Sequence, residues 1–136
     1  MVEKDSFFTC ASGGLGYGLP AAVGVAIARP DVRVIALLGD GSSMYSIQGL
    51  WSAAQLGVRV TFIIINNGAY RALDDIARLL GLERVLGTKL EGIDFSVLAR
   101  AQGVEAERVA SSAALDSALE RSFIATGPAL LEVITS

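Results

Sequence analysis

The sequence predicts an α/β fold with three layers, in which a doubly wound, mostly parallel sheet lies between helices on both faces. Residues 32–38 and 60–65 are almost entirely apolar, which is typical of parallel strands that are buried on both faces. A stretch with helical spacing joins these two strands, as a parallel crossover requires. The 136 residues fit a single domain, so no second domain is expected within them.

The first thirty residues predict a lead-in, a glycine-rich loop and one helix. Residues 1–6 carry mixed charge without periodicity and are expected to be extended, and residues 7–10 are predicted to form a short strand. The glycines of residues 11–18 either let the backbone approach a ligand or simply adopt positive φ, and both interpretations stay open. Residues 20–28 are small and apolar, which predicts a buried helix with Pro20 in its first turn.

The central part predicts strand, turn, helix, strand and turn. The strand at residues 32–38 runs into a turn at residues 39–43, which read Gly-Asp-Gly-Ser-Ser. A helix is predicted over residues 46–56, closed by Gly57. Its spacing predicts one buried stripe, formed by Ile47, Leu50, Trp51 and Ala54. The β-branched run at residues 60–65 is a strong strand signal and ends at Asn66-Asn67-Gly68.

The C-terminal half predicts three more helices and two strands. Residues 71–80 favour a helix with one apolar face, formed by Leu73, Ile76, Ala77 and Leu80. Residues 83–92 are expected to be irregular, and Asp94 is the predicted N-cap of a helix that ends at Gly103. A strand at residues 104–109 precedes a helix that starts at Ser111 or Ser112, and residues 129–135 form the last strand. The inward residues predicted for that last helix are Ala114, Leu115, Leu119 and Phe123.

Asp40 and Asn67 each follow a predicted strand. The carboxyl ends of parallel strands meet at one edge of the sheet, where helix N-termini also favour anionic ligands. We therefore expect the two side chains to lie close together. A carboxylate, an amide oxygen and a backbone carbonyl are the hard ligands that Mg²⁺ takes while keeping positions open for diphosphate oxygens. The alternative is that both are ordinary Asp-Gly and Asn-Gly turns.

The motifs at residues 8–135 resemble the thiamin diphosphate (ThDP) enzymes. The Gly-Asp-Gly of residues 39–41, followed by the Asn-Asn of residues 66–67, looks like the ThDP signature. The segments CASGGLGYGLPAAVG, GDGSSMYSIQGLWSAAQ, NNGAY and EGIDF are similar to the 2-oxo acid decarboxylases, closest to benzoylformate decarboxylase. The resemblance is to the C-terminal, diphosphate-binding domain and implies the ThDP-binding fold, with ThDP and Mg²⁺ as cofactors.

The resemblance assigns roles to individual residues. It implies that Asp40, Asn67 and the backbone carbonyl of Ala69 bind Mg²⁺. It gives catalytic roles to Gly13, whose backbone oxygen accepts a hydrogen bond from the aminopyrimidine, and to Leu15, the apolar wedge that holds ThDP bent. An ordinary core leucine is the alternative for Leu15. The full set implied to bind the cofactor is Gly13, Gly14, Leu15, Gly39, Asp40, Gly41, Ser42, Asn67, Ala69 and Tyr70, the last through its amide.

A substrate pocket is also implied by the resemblance, at Ala72, Leu73 and Ile76. The benzoylformate decarboxylase pattern has an aromatic residue at the position of Ile76 and glycine at the position of Arg71, and this sequence differs at both. The expected substrate is a small 2-oxo acid, decarboxylated to an aldehyde and CO₂. Asp74 and Asp75 are adjacent on a helix, point in different directions and are interpreted as a solvated face.

The site is expected to be incomplete without a second domain. In the resembled family the activating glutamate and the catalytic histidines come from a pyrimidine-binding domain. This chain contains no histidine, and none of its glutamates, Glu3 and Glu83 included, lies in a comparable motif. We therefore expect a pyrimidine-binding domain from another chain or from a missing part of a longer protein. Without it, the chain is not expected to decarboxylate.

Composition excludes several classes of partner. The net charge of −3 and scattered basic residues argue against nucleic-acid binding. No apolar run approaches the roughly 20 residues that span a bilayer. Hydrophobic residues nevertheless make up 52% of the chain, which favours apolar surface that another subunit or domain covers, and a homo-oligomer is expected. Cys10 is the single cysteine, which excludes an internal disulfide and is typical of a cytoplasmic protein.

Two other functions share these features. A carboligase of the acetolactate synthase type uses the same Gly-Asp-Gly and Asn-Asn frame, and product analysis would distinguish it from a decarboxylase. A non-catalytic phosphate-binding module with a flavodoxin-like sheet would bind phosphate without a divalent metal.

Overall fold

A parallel sheet organises the molecule. The computed structural model describes residues 6–82 and 85–135. The described residues form four strands in the order β1-β2-β4-β3, and every neighbouring pair is parallel. This confirms the parallel sheet predicted from the apolar runs. The strands are β1 Val34–Gly39, β2 Val60–Asn66, β3 Glu105–Val109 and β4 Ala129–Ile134.

Six helices connect and cover the described strands. None of these helices has the length and apolar character needed to cross a membrane. Asp94 caps α5 as predicted, because its side chain accepts the N–H of Val97. Gly57 ends α3 in the left-handed conformation, with φ of 59°. The helices are α1 Gly18–Ala28, α2 Asp40–Met44, α3 Gly49–Leu56, α4 Arg71–Leu79, α5 Phe95–Ala101 and α6 Ser112–Ile124.

Helices lie on both faces of the sheet, which confirms the three-layer prediction. Successive residues of a strand point to opposite faces, and Leu130 and Leu131 of β4 belong to different hydrophobic clusters. Leu130 belongs to the larger cluster, which α1, α3 and α5 form with Phe62 and Ile64 of β2. Leu131 packs with Val109 and with Ala118 of α6. Burial of each large apolar side chain contributes about 1.5–3 kcal/mol to folding.

Two predicted element boundaries are wrong. The strand expected at residues 7–10 does not form, since residues 6–10 have no regular secondary structure and Phe7 and Phe8 are exposed. The helix expected from residue 46 starts only at Gly49, because the chain enters the short helix α2 directly at Asp40. Turn hydrogen bonds from Ser46 to Ser43 and from Gly49 to Ser46 then reorient the backbone between α2 and α3.

Three predicted apolar faces are only partly buried. Trp51 is 57% exposed, and Leu50 and Ala53 are the buried residues of α3. Helical spacing identifies residues that share a face but not whether another element covers them. On α4 only Ala77 is buried, so Leu73, Ile76 and Leu80 are exposed against expectation, and Phe123 of α6 is exposed as well.

Two predicted segments lie partly outside the described residues. Of the predicted lead-in, only Ser6 is described, so Glu3 lies outside. Of the predicted irregular segment, residues 85–92 are described and Glu83 and Arg84 are not. The described part contains no helix or strand beyond one isolated antiparallel bridge between Ala69 and Lys89.

Candidate functional site

Asp40 lies at the carboxyl end of β1 and is 3% exposed. The last residue of β1, Gly39, pairs with Ile65 of β2, so the two strands end side by side. Asp40 Oδ2 accepts the N–H groups of Asn67 and Ala69, each at 3.2 Å. Its Oδ1 accepts the N–H of Gly41 at 2.8 Å. Backbone donors from the start of α2 and from the turn after β2 therefore hold this buried carboxylate in place.

Asn67 converges on the same point. Its Oδ1 accepts the Ala69 N–H at 3.0 Å, the same donor that lies 3.2 Å from Asp40 Oδ2. Gly68, with φ of 71°, provides the left-handed residue that this turn requires. The structure thus brings together the two side chains that the topology of the sheet predicts to be neighbours.

The turn that carries Ala69 is also fixed from outside. Tyr70 N–H donates to the Thr88 carbonyl at 2.7 Å, and Leu90 N–H donates to the Gly68 carbonyl at 2.8 Å. These two hydrogen bonds form the antiparallel bridge between Ala69 and Lys89. In a bridge of this kind, the N–H and C=O of the central residue, here Ala69, face away from the partner segment. The Ala69 N–H does so, since it donates to Asp40, and extended geometry directs the Ala69 carbonyl to that same side.

These donor atoms fit a hard divalent cation. The described residues hold no group of three or more His, Cys, Asp or Glu that could bind a metal. A cation here would be held by one carboxylate, one amide oxygen and one backbone carbonyl. Mg²⁺ is commonly bound in this way, through one or two carboxylates with the remaining positions filled by water and substrate phosphates.

The glycine-rich loop is tied to the turn after β1. Gly16 N–H donates to Ser42 Oγ at 3.1 Å, and Ser46 Oγ donates to the Gly16 carbonyl at 2.8 Å. Gly16 has φ of 84°, and an added Cβ would lie 2.6 Å from Cβ of Tyr45. A side chain at this position would therefore separate the loop from the turn.

Leu15 directly precedes Gly16 in the loop that contacts Ser42. It is 47% exposed, so it is not a leucine of the chain's own core. Gly13 and Gly14 are exposed as well. A cleft of about 1070 Å³ runs along β1 and α1 and is lined at one end by residues 13–15, Gly39 and Ser42. The loop residues implied to meet the cofactor thus line an accessible cleft.

The ring of Tyr70 packs against Gly41 and Tyr45. The ring covers Gly41, where an added Cβ would lie 2.4 Å from the ring carbon Cε1. It also meets the ring of Tyr45 edge to face, with centroids 6.3 Å apart. Burial raises the pKa of Tyr70, and the nearby Tyr45 and Asp40 add to this. The Tyr70 N–H donates to the Thr88 carbonyl, and its contact with the diphosphate stays a prediction.

The residues expected to line the substrate pocket lie on α4, which begins directly after Tyr70. Ala72, Leu73 and Ile76 are all exposed. Asp75 forms an exposed ion pair with Arg78 at 2.9 Å. That pair is consistent with the solvated face expected for Asp74 and Asp75.

Sequence reasoning missed Asn66 and Glu132. Asn66 Nδ2 donates to Glu132 Oε1 at 2.7 Å, and both residues are buried. The available signal was an acidic residue inside the apolar run of residues 129–135. Asn66 belongs to the Asn-Asn motif, but nothing in the sequence indicates that it pairs with a residue 66 positions away.

Comparisons with known proteins show the family of the chain. Residues 1–133 match the family model described as thiamine pyrophosphate enzyme, C-terminal TPP binding domain. The chain is 47% identical over 135 residues to benzoylformate decarboxylase of Pseudomonas aeruginosa, covering 99% of this chain and 26% of that protein. It is 35% identical over 126 residues to acetolactate synthase isozyme 1 large subunit of Escherichia coli K12, covering 90% of this chain and 22% of that protein.

Solved structures give the same result. The chain resembles the ThDP-dependent 4-hydroxybenzoylformate decarboxylase of Rhodococcus jostii RHA1, with a TM-score of 0.89 and 47% identity over 93% of this chain and 24% of that one. It resembles benzoylformate decarboxylase of Polynucleobacter necessarius, with a TM-score of 0.94 and 33% identity over 98% of this chain and 26% of that one. The chain spans about a quarter of the length of these relatives. It belongs to the thiamine pyrophosphate enzyme family and corresponds to the C-terminal TPP-binding domain of that family.

Proposed function

We propose that this chain binds the diphosphate end of ThDP through Mg²⁺ and serves a decarboxylase that converts a 2-oxo acid to an aldehyde and CO₂. The observation that carries the metal site is the convergence of Asp40 Oδ2 and Asn67 Oδ1 on the N–H of Ala69. The two relatives named benzoylformate decarboxylase or 4-hydroxybenzoylformate decarboxylase at 47% identity support the reaction class.

The residues of this chain would bind and orient the cofactor. Asp40, Asn67 and the Ala69 carbonyl would hold Mg²⁺, and Gly39, Gly41 and Ser42 would surround the diphosphate. Gly13 and Gly14 would meet the pyrimidine end, and Leu15 offers it an exposed apolar side chain. When bound, ThDP supplies the carbon nucleophile and the electron sink that the release of CO₂ from a 2-oxo acid requires.

The catalytic site would be completed from outside this chain. The chain contains no histidine, so a proton carrier that titrates near neutral pH must come from elsewhere. We propose that a pyrimidine-binding domain, in another chain or in the rest of a longer protein, supplies it together with the activating glutamate. The substrate side would then lie against Ala72, Leu73 and Ile76, whose exposed side chains are available for such contact.

Assembly and location follow from surface and cysteine content. Large apolar side chains such as Phe7, Leu37 and Leu86 are mostly exposed in the described chain, which supports a homo-oligomer in which they are covered. The single, free Cys10 supports a reducing compartment, and we propose the cytoplasm.

Calorimetry on the pure chain tests the cofactor half of this proposal. We expect weak binding of ThDP that requires Mg²⁺ and disappears with a chelator. Inorganic pyrophosphate with Mg²⁺ should bind comparably, whereas thiamin without the diphosphate should not, since the chain would hold mainly the diphosphate. Binding that is indifferent to Mg²⁺ would contradict the metal site and favour a non-catalytic phosphate module.

Activity assays test the other half. The pure chain should not turn over benzoylformate or pyruvate, and sustained turnover by it alone would contradict the proposal. With a pyrimidine-binding domain supplied, aldehyde and CO₂ should form. The second candidate is a carboligase, which the 35% identity to an acetolactate synthase subunit favours. It predicts acyloin products when a 2-oxo acid and an acceptor aldehyde are offered together.

A further inference from the structure

Glu132 is a fully buried acidic residue within β4. Its Oε1 accepts from Asn66 Nδ2 at 2.7 Å. Its Oε2 accepts the N–H of Ser96 at 3.1 Å and lies 3.7 Å from Nε of Arg108. Hydrogen bonds and an ion pair thus engage both oxygens of this carboxylate.

The placement is costly for the fold alone. Burying a carboxylate carries a large desolvation penalty even when it is paired, and apolar residues of similar size often serve stability as well. The neighbours of Glu132 in β4, Leu131 and Val133, are apolar. An acid at this position therefore indicates a role in orienting a neighbouring group.

That group is the side-chain amide of Asn66. A carboxylate accepts hydrogen bonds only, so it selects the NH₂ side of the amide and leaves Oδ1 pointing the other way. Asn66 Oδ1 accepts the N–H of Gly68 at 3.0 Å. If the amide were reversed, an oxygen would face the carboxylate and the NH₂ would face the Gly68 N–H, so both hydrogen bonds would be lost.

The oriented amide fixes the turn that builds the candidate metal site. Asn66 and Gly68 flank Asn67, and the N–H groups of Asn67 and Ala69 in the same turn bind Asp40. Hydrogen bonds therefore link Glu132 through Asn66 to Gly68, and the backbone of the turn carries the connection on to the two N–H groups that bind Asp40. Residues that orient the ligands of a metal usually affect its affinity although they do not touch it.

We propose that Glu132 is a positioning residue for the metal site, acting through Asn66 on the turn of residues 66–69. The metal part of this inference rests on the proposed Mg²⁺ and diphosphate function, whereas the control of the turn does not. Glu132 itself does not contact the cofactor in this proposal.

Amide hydrogen exchange, measured by NMR on the chain without cofactor, tests the control of the turn. In Glu132→Gln, one carboxylate oxygen becomes an NH₂, so either the Asn66 or the Ser96 hydrogen bond is lost. We expect exchange of the Gly68 and Ala69 amides to accelerate roughly tenfold, the equivalent of one hydrogen bond. The amides in the middle of β2 should exchange as in the unchanged chain.

Calorimetry with ThDP and Mg²⁺ tests the consequence for the metal. At a temperature where each variant is folded, Glu132→Gln should weaken Mg²⁺-dependent binding by about tenfold to a hundredfold. Val133→Ala is the matched control, since it loosens the same strand on the opposite sheet face, where it packs in the smaller cluster. It should lower stability without selectively changing the turn or the metal affinity.

Each outcome decides the proposal. It is overturned if Glu132→Gln and Asn66→Ala, each folded, both leave exchange in the turn unchanged, or if both speed exchange evenly across β2 and β4 as Val133→Ala does. If Glu132→Gln does not fold, Asn66→Ala gives the decision, since it interrupts the same connection and should selectively mobilise Asn67 and Ala69. Failure of the unchanged chain to bind ThDP with Mg²⁺ would overturn the proposed function, while the exchange data would still decide the role of Glu132.

Discussion

Asp40 and Asn67 share a single hydrogen-bond donor, because the backbone N–H of Ala69 lies 3.2 Å from Asp40 Oδ2 and 3.0 Å from Asn67 Oδ1. The two acceptors come from the ends of neighbouring parallel strands, and one donor cannot fully satisfy both. Asp40 Oδ2 also accepts the Asn67 N–H, so a bound cation would use the lone pairs that the backbone donors leave free on Asp40 Oδ1 and Asn67 Oδ1.

Removal of the Asp40 carboxylate should abolish Mg²⁺-dependent binding of ThDP. Asp40→Asn keeps an oxygen for the backbone donors but removes the negative charge. Asp40→Ala leaves the buried N–H groups of Asn67 and Ala69 without this acceptor and should also cost about 1–3 kcal/mol of unfolding free energy. Calorimetry with and without Mg²⁺, together with urea unfolding, measures both effects.

The matched control for Asp40 is Asp75→Ala, which removes an exposed carboxylate from α4. It should change neither the metal dependence nor, beyond about 0.5 kcal/mol, the stability. Metal-dependent binding that survives in Asp40→Ala would argue against this residue as a ligand.

Gly41→Ala should destabilise the chain by forcing the Tyr70 ring to move. The added Cβ would lie 2.4 Å from Cε1 of that ring, and overpacking of this kind costs about 1–3 kcal/mol. Gly24→Ala is the control, since its Cβ meets nothing within 4 Å and alanine is favoured in a helix by up to about 1 kcal/mol. Urea unfolding distinguishes the two.

The double variant of Gly41→Ala with Tyr70→Ala identifies the cause. If the ring is the obstacle, the two effects will not add, because the second change removes the clash introduced by the first. Strict additivity would show that Gly41 is required for another reason.

Leu15→Ala should affect the cofactor far more than the fold. Because Leu15 is half exposed, its truncation should change the unfolding free energy by no more than about 0.5 kcal/mol. Leu50→Ala, at a fully buried position of α3, should cost about 2–5 kcal/mol. In the protein completed by a pyrimidine-binding domain, loss of the wedge should lower turnover by about a hundredfold. Equal destabilisation by both variants would assign Leu15 to the core.

Asp94 should give the chain a stability component that is lost in acid. The hydrogen bond from Ser96 Oγ is the largest cause that lowers the pKa of Asp94. The hydrogen bond from the Val97 N–H and the positive charge of Arg108 lower this pKa further. Because the pKa of Asp94 is lower in the folded chain than in the unfolded chain, its ionised form stabilises the native state. This stabilisation is complete at pH values above the unfolded pKa, which is near 4. That stabilisation disappears as the pH falls through the lower folded value.

Two variants measure the Asp94 effect. Asp94→Asn retains a capping side chain but cannot ionise. The decrease in unfolding free energy below about pH 4 should therefore be smaller in this variant. Asp94→Ala should cost about 1 kcal/mol at neutral pH through loss of the cap. Asp116→Asn, on the exposed side of α6, serves as the control. An acid profile unchanged in Asp94→Asn would contradict the assignment.

The strands and the meeting of Asp40 with Asn67 could be predicted from sequence because parallel sheets impose strong constraints. Strands of parallel sheets are typically apolar runs, and neighbouring parallel strands end at the same edge. β2 is buried on both faces as expected, whereas Ile35 and Leu37 leave one face of β1 exposed in the described chain. These constraints placed β1 and β2 within two residues of their observed bounds. They also placed the two turns side by side without knowledge of the rest of the chain.

The remaining features depend on tertiary contacts that spacing does not encode. Gly41, Ser42 and Ser43 are poor helix formers, yet α2 forms there, with Ser43 Oγ donating to the Gly39 carbonyl at 2.8 Å. The exposure of Leu73 and Ile76 depends on what covers α4 and not on their periodicity. Likewise, the pairing of Glu132 with Asn66 arises only when β2 and β4 become neighbours.

The bridge between Ala69 and Lys89 has a consequence for protein engineering. Residues 85–92 look like a surface loop that could be exchanged between relatives to alter specificity. Their backbone, however, accepts from Tyr70 and donates to Gly68, so a transplanted loop would reshape the turn that carries Asn67. Proline at position 90 would remove one of these bonds outright, and grafts should therefore preserve the backbone geometry of Thr88 and Leu90 before any side chain is chosen.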